Sequence, residues 1–150
     1  MEPLIAAATD ELEELRSDIR DGLASQTTAT LNWAPHAGGN TIAGLLAHML
    51  ESAQFLLRVG RGETPTRDRD AQFLANTPDA SALLAAVDGG FDAIVGLLHG
   101  YTAADLAARY PFREREMTGA RFVLRVCDHL HEHWGQIQTT RDLAEQRPPG

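Results

Sequence analysis

The sequence has no lysine, since all 13 of its basic residues are arginine. This absence excludes mechanisms that depend on a lysine side chain, including Schiff-base chemistry, a covalently bound pyridoxal cofactor and the lysine of a phosphate-binding P-loop. The sequence also contains a single cysteine, Cys127. It can therefore form neither an intramolecular disulfide nor a cysteine-rich zinc site.

Positive charge of any kind is scarce. The 13 arginines face 21 acidic residues, which gives a formal net charge of -8 and a pI near 5.1. This balance argues against a broad nucleic-acid-binding surface. No apolar run approaches the roughly 20 residues of a membrane span, and the start Met1–Leu4 lacks the basic region of a secretory signal. We expect a cytoplasmic protein without nucleic-acid or membrane partners.

The 150 residues are enough for one domain, and the 43% hydrophobic content is that of a globular one. Apolar residues recur at helical spacing in four stretches: from about Pro3 to Ala24, from a cap at Asn40 or Thr41 to Val59, after Thr77-Pro78 to Leu98, and from about Thr118 to Leu143. Within the third stretch, Gly89-Gly90 indicates a close helix crossing or a kink.

The connecting segments carry turn and loop residues. We predict an exposed loop over 61–69, short helical turns over 70–75 and 102–105, and an irregular or extended segment over 110–117, with Pro148 and Pro149 closing the chain. No segment with strand periodicity is long enough to build a sheet. The prediction is an all-α protein, a four-helix bundle that occupies residues 1–150 as a single domain.

The histidines carry the clearest chemical signal. His129 and His133 are four residues apart and therefore share one helix face, where both imidazoles can reach one metal ion. His131 points to roughly the opposite side. His48 flanks the apolar stripe of the second helix in the same way as the other two flank that of the fourth. The three are either ligands of one metal inside the bundle or separate half-buried histidines bonded to carbonyl or carboxylate groups.

Two sequence motifs resemble those of the DinB/YfiT-like family. The first is Asn32-Trp33-Ala34-Pro35 with Asn40-Thr41-Ile42 and Leu45-Leu46-Ala47-His48, and the second is 129–137, HLHEHWGQI, followed by Arg141. The resemblance covers most of the chain and implies a four-helix bundle in which three histidines hold a divalent metal, often zinc or nickel. Carried over by position, the metal ligands are His48, His129 and His133. In the segment 101–119 we can place no motif of the family.

The resemblance also implies a class of function. Relatives include transferases and isomerases that use a low-molecular-weight thiol such as mycothiol or bacillithiol, and they often form homodimers. The leading hypothesis is therefore a homodimeric, metal-dependent thiol S-transferase or isomerase with a small-molecule substrate. A nucleophilic water in place of the thiol would give a hydrolase. The alternative is a non-catalytic bundle for metal binding, ligand sensing or dimerisation.

Other polar residues receive structural interpretations. We interpret Cys127 as a packing residue, because it lies on the buried stripe of the fourth helix. The run Arg113–Glu116 is most simply a solvated charge run. Glu51 and Glu132 are either residues that orient the metal ligands or ordinary surface glutamates.

Overall fold

The computed structural model describes residues 1–147, so Pro148 and Pro149 lie outside the described residues. Within that range, seven helices and one β-hairpin follow in the order α1 (Pro3–Leu23), α2 (Thr28–Leu31), α3 (Ile42–Val59), α4 (Arg69–Phe73), α5 (Ala80–His99), α6 (Ala103–Ala107), β1 (Arg109–Phe112), β2 (Arg115–Thr118) and α7 (Gly119–Gln146). The four long helices are those predicted from the sequence. Thr41 and Thr118 cap the starts of α3 and α7, since each side chain accepts a hydrogen bond from a backbone N–H of the first turn.

The long helices form a bundle in which chain neighbours are not all spatial neighbours. Helix α3 packs against α5 and α7, and α1 packs against the same two helices. The first and second long helices therefore lie at diagonal corners, and so do the third and fourth. Long connections on either side of α3 and α5 make such crossings feasible. The buried core is built almost wholly from the aliphatic stripes of these four helices.

The predictions for the connecting segments need three corrections. Residues 28–31, which lie between the first two predicted helices and were assigned to neither, form the short helix α2. The segment 110–117 is extended, which is one of its two predicted alternatives, but residues 109–118 pair as an antiparallel hairpin where no sheet was predicted, with Arg109 opposite Thr118 and Phe112 opposite Arg115. The loop 61–69 is not exposed throughout, because Arg67 is half-buried. In contrast, the helical turn predicted at 102–105 is confirmed as α6, which begins with a capping box at Thr102 and Asp105.

Two of the bundle helices are long and apolar enough to cross a membrane by length and composition alone, which differs from the expectation that no apolar stretch is. They are α3 and α5. The mean hydropathy of the most apolar 18-residue stretch is 1.2 in α3, with 67% of that stretch buried, and 1.6 in α5, with 33% buried. Both pack against other helices of the bundle. Core packing accounts for the composition of α3, whereas α5 presents exposed alanine and glycine residues. The cytoplasmic location remains a prediction.

Candidate metal centre

Three histidines from two helices meet at one place in the bundle. His48 comes from α3, and His129 and His133 come from successive turns of α7, the helix against which α3 packs. The ring centroids of His129 and His133 are 4.4 Å apart. The ring centroid of His48 lies 5.4 Å from that of His129 and 4.8 Å from that of His133. One nitrogen from each ring lies within 4.8 Å of the others. The structure thus brings together the three histidines that the sequence singled out.

His131 lies elsewhere, as the helical spacing predicts. Its Nδ1 donates to the carbonyl oxygen of Cys127, and its Nε2 lies 3.2 Å from the Glu11 carboxylate on α1. His131 therefore packs on the α1 side of α7, away from the other imidazoles. Cys127 is half-buried, and burial raises the pKa of its thiol to about 11. This matches the interpretation of Cys127 as a packing residue, because a thiol with a raised pKa is a poor nucleophile at neutral pH.

A hydrogen-bond chain that runs from exposed Glu51 through buried Gln72 orients His48. The amide Nε2 of Gln72, which is 3% exposed, donates to Glu51 over 2.7 Å, so its Oε1 faces the imidazole. The His48 Nδ1 donates to that oxygen over 3.0 Å. This bond places the ring proton on Nδ1 and leaves the lone pair of Nε2 free for a metal. Of the two proposed orienting residues, Glu51 therefore acts through Gln72, which the sequence analysis missed.

The position of Gln72 depends on a close approach of α4 to α3. A Cβ atom added to Gly44 would lie 2.7 Å from the carbonyl oxygen of Phe73, so glycine lets the two backbones approach this closely. Phe73 then stacks on the His48 ring with centroids 4.3 Å apart. Asp68 caps α4 by accepting the N–H of Ala71. One short helix thus supplies both a hydrogen bond and a stacking partner to His48.

The other two histidines also present free nitrogens. The Nδ1 of His133 donates to Gln136 over 2.7 Å, which leaves its Nε2 without a proton. The Nε2 of His129 is buried and has no hydrogen-bond partner among the described residues. A buried polar atom without a partner costs free energy, and a metal ligand is one of the roles that explain such an atom.

Burial also keeps the imidazoles of His48 and His129 neutral. It lowers the pKa of His48 to about 4, with further lowering by the charges of His133, Arg67 and Arg69. Burial, followed by the charges of His133 and His48, lowers the pKa of His129 to about 3. A neutral imidazole is the form that binds a metal. Nitrogens bound to one tetrahedral ion at about 2.0–2.1 Å lie about 3.3–3.4 Å apart, so the three nitrogens, which lie within 4.8 Å of one another, approach by up to about 1.5 Å when the site closes. The residues present therefore fit a divalent metal.

The histidines open onto a cavity of about 260 Å³. Four arginines line this cavity. Arg67 lies just before α4 and Arg69 is the first residue of α4, whereas Arg113 lies in the turn of the hairpin and Arg125 on α7. Among residues 1–147, Glu132 is the one acidic residue in the lining. Arg113 is exposed, as expected for the solvated charge run that the sequence predicted, and it also lines this cavity. Linear sequence gave no signal for this cluster, because the hairpin brings Arg113 to the cavity only in the folded chain.

Comparison with known proteins places this chain in a family. The sequence profile of the DinB superfamily matches residues 11–137, and the chain belongs to that superfamily. No curated protein matches the sequence. The resemblance to the DinB/YfiT-like family is thereby confirmed.

Solved structures share the fold at low sequence identity. A conserved protein from Enterococcus faecalis superposes with a TM-score of 0.75 at 13% identity, covering 95% of this chain and 97% of that one. A DinB-like protein from Bacillus cereus gives 0.73 at 20% identity, covering 100% and 96%. YfiT from Bacillus subtilis, described as a probable metal-dependent hydrolase with an unusual four-helix bundle topology, gives 0.69 at 19% identity, covering 93% and 87%. These likenesses confirm the predicted four-helix bundle.

Replacing Gln72 with leucine is expected to weaken metal binding by roughly 10- to 100-fold. Without the amide, the His48 Nδ1 and the Glu51 carboxylate lose their shared partner, and the ring is no longer held with Nε2 free. Titration of zinc into wild type and Gln72→Leu measures the change in dissociation constant. Gln138→Leu, which alters an exposed glutamine on α7, is the matched control. Unchanged affinity in Gln72→Leu would contradict the orienting role.

The metal-free protein is expected to lose stability as the pH falls from about 6.5 towards 4. The pKa of His48 is about 4 and that of His129 about 3 in the folded chain, against about 6.5 when unfolded. In this window the unfolded chain binds more protons, so the free energy of unfolding decreases with decreasing pH. Denaturant titrations at pH 7.0 and 4.5 measure the decrease.

Comparison of variants isolates the histidines from the carboxylates, which titrate over part of the same range. His129→Gln should lose less stability between the two pH values than wild type, because one proton-uptake site is gone. His36→Gln changes an exposed loop histidine and serves as the control. An equal pH effect in wild type and His129→Gln would exclude His129 as a source of the acid sensitivity.

Proposed function

We propose that this protein is a divalent-metal-dependent enzyme whose metal is held by His48, His129 and His133, with zinc or nickel as the metal. The observation that carries the proposal is the buried, unpartnered Nε2 of His129, close to two other imidazoles whose Nδ1 atoms are already engaged. When bound, the metal would supply Lewis-acid chemistry that lowers the pKa of a thiol or a water molecule.

The chain's own residues favour a small anionic nucleophile beside the histidines. Arg67 and Arg125 are half-buried at the cavity. Their positive charges would stabilise a thiolate in the way that bulk water does in solution. A thiol is acidic enough to ionise under these charges without a strong general base, and Glu132 is the one carboxylate that the described part of the chain places in the lining. We therefore propose a low-molecular-weight thiol, such as mycothiol or bacillithiol, as cosubstrate of an S-transferase or isomerase.

A hydrolase is the second candidate, and the fold likeness to YfiT favours it, since that protein is described as a probable metal-dependent hydrolase. In this case Glu132 would accept a proton from the attacking water. The two candidates differ in whether a thiol is consumed. A non-catalytic metal-binding or ligand-sensing bundle is the remaining alternative, and it predicts metal binding without turnover.

The discriminating experiment uses metal-replete protein. Protein of measured zinc or nickel content is incubated with mycothiol or bacillithiol and an electrophilic aryl halide, and in parallel with a panel of esters and amides without thiol. His129→Ala is the control for each reaction. Thiol consumption that depends on His129 supports the transferase, thiol-independent cleavage supports the hydrolase, and stoichiometric metal without either reaction supports the non-catalytic alternative.

We further propose a homodimer formed through bundle helices. Helix α5 exposes small residues at helical spacing, among them Ala82, Ala86, Gly89, Ala93 and Gly96, which permit close approach of a second helix. Sedimentation velocity at high micromolar concentration tests the assembly, and a monomer throughout would refute it.

A further inference from the structure

The arginines around the histidines are unusual for this chain. The protein is strongly acidic overall, yet Arg67, Arg69, Arg113 and Arg125 gather at one cavity. Five other arginines form ion pairs with carboxylates, whereas none of these four does so within the described residues. The pKa of Arg67 is lowered by burial and then by the charges of Arg69 and Arg113. The cluster thus holds four like charges together, and only the more distant charges of carboxylates such as Glu51 and Glu132 offset them among the described residues.

One guanidinium in particular lacks the partner that its environment demands. The Nη1 atom of Arg67 is buried and has no hydrogen-bond partner among residues 1–147. Its guanidinium carbon lies over the Phe55 ring, 4.6 Å from the ring centroid, which is within the range of a cation–π contact. A buried cationic donor without an acceptor is costly, and a bound anion would satisfy it.

Arg113 occupies a backbone conformation that disfavours arginine. It lies between β1 and β2 with φ 57°, in the left-handed region where glycine and asparagine are common. The turn itself would be more stable with glycine at this position. Its side chain lines the cavity, and non-glycine residues held in this region concentrate at functional sites.

A second, larger cavity lies beside the first. It measures about 460 Å³, and its apolar wall includes Phe55, Val59 and Tyr110. Arg67, Phe112 and Arg113 line both cavities, so the two guanidiniums stand between an apolar groove and the three histidines. A volume of this size suits a small organic molecule.

We propose that the substrate is a small molecule with an anionic group, a carboxylate or a phosphate, joined to an apolar body. The anionic group binds Arg67 and Arg113, the apolar body lies in the groove between Phe55 and Tyr110, and the remaining end reaches the histidine cavity. The proposal extends the proposed enzyme by naming its substrate class, but the anion-binding residues are not metal ligands. Anion binding is therefore measurable separately from metal binding.

Calorimetric titrations with three probes test the proposal: 4-phenylbutanoate, phenyl phosphate and the neutral 4-phenylbutanamide. Both anions, or one of them, should bind, and the amide should bind at least tenfold more weakly. One charged hydrogen bond is worth about 1.5–3 kcal/mol, so Arg67→Met should weaken anion binding by roughly 10- to 100-fold. The anion that binds more tightly identifies the group recognised.

Two further variants separate recognition from folding. Arg113→Gly should weaken anion binding while its midpoint of thermal unfolding stays at or above that of wild type, because glycine relieves the left-handed backbone. Arg115→Met removes the same charge from the same hairpin but from a residue outside both cavities, and should bind the anions as wild type does. Equal binding of acid and amide, or wild-type anion affinity in Arg67→Met with intact helicity, would overturn the proposal.

The titrations are carried out on zinc-loaded protein and on protein freed of metal by dialysis. The effect of Arg67→Met should appear in both, which excludes direct coordination of the anion as its cause. Metal binding without anion binding would overturn the substrate class and leave the proposed enzyme standing. Anion binding without metal binding would overturn the proposed enzyme and leave the arginine site standing.

Discussion

Replacing His48, His129 or His133 with alanine is expected to remove nearly all of the bound metal, while His131→Ala keeps it. A site with three histidine ligands retains two when one is replaced, and we expect its affinity for the metal to fall by more than about 100-fold. This loss exceeds the one expected from removing a residue that only orients a ligand. Metal content after gel filtration, measured by plasma mass spectrometry for zinc and for nickel, gives the result directly.

The four variants share one chemical change and differ in position. His131 lies two residues from both His129 and His133, but it contacts Cys127 and Glu11 on the opposite side of α7. It therefore controls for histidine content and for local helix propensity at once. Far-UV circular dichroism of each variant verifies that the helices persist. Metal loss in His131→Ala, or full occupancy in His48→Ala, would show that the ligand set is wrong.

The helices were predictable because each carries its own periodic signal. The apolar stripes of α1, α3, α5 and α7 and the caps at Thr41 and Thr118 are local features of the sequence. The pairing of corners in the bundle is not local. Nothing in the stripes specifies that α1 lies diagonal to α3, because a stripe indicates which face is buried and leaves open the helix that covers it.

The histidine cluster was likewise predictable only in part. The spacing of His129 and His133 places them on one face of α7, the position of His48 beside the apolar stripe of α3 made it a candidate third ligand, and the resemblance favoured this set. Gln72 and Arg113 were missed for a physical reason. Each belongs to a short element, α4 or the hairpin, whose position is set by tertiary contacts such as the close approach at Gly44. Short elements carry too few residues to show a periodic pattern.

The glycine pair in α5 illustrates how structure resolves an ambiguous signal. The sequence left open a kink or a close crossing at Gly89-Gly90, and α5 runs unbroken from Ala80 to His99. A Cβ on Gly90 would lie 2.8 Å from the Leu50 Cδ1 of α3, so Gly90 marks a close crossing. A Cβ on Gly89 would have no neighbour within 4 Å. The close crossing therefore accounts for Gly90, whereas no contact among the described residues requires glycine at position 89.

Gly119→Ala is expected to destabilise the protein by about 1–3 kcal/mol, whereas Gly89→Ala should stabilise it by up to about 1 kcal/mol. A Cβ on Gly119 would overlap the carbonyl oxygen of Asp105 and lie 3.0 Å from that of Gly60. Both obstacles are backbone atoms, and the Gly119 N–H also donates to the Ala108 carbonyl. The start of α7 cannot shift without disturbing α6, so the overlap is not easily relieved.

Urea denaturation of the two variants beside wild type measures both effects with one chemical change, the addition of a methyl group to a glycine. Gly89→Ala gains helix propensity at an exposed position without any new contact, so it reports the intrinsic benefit of alanine. Subtracting that benefit isolates the steric cost at Gly119. If Gly119→Ala unfolds at the same urea concentration as Gly89→Ala, the junction between α6 and α7 is looser than this packing requires, and the hairpin that carries Arg113 is not rigidly anchored at its second end.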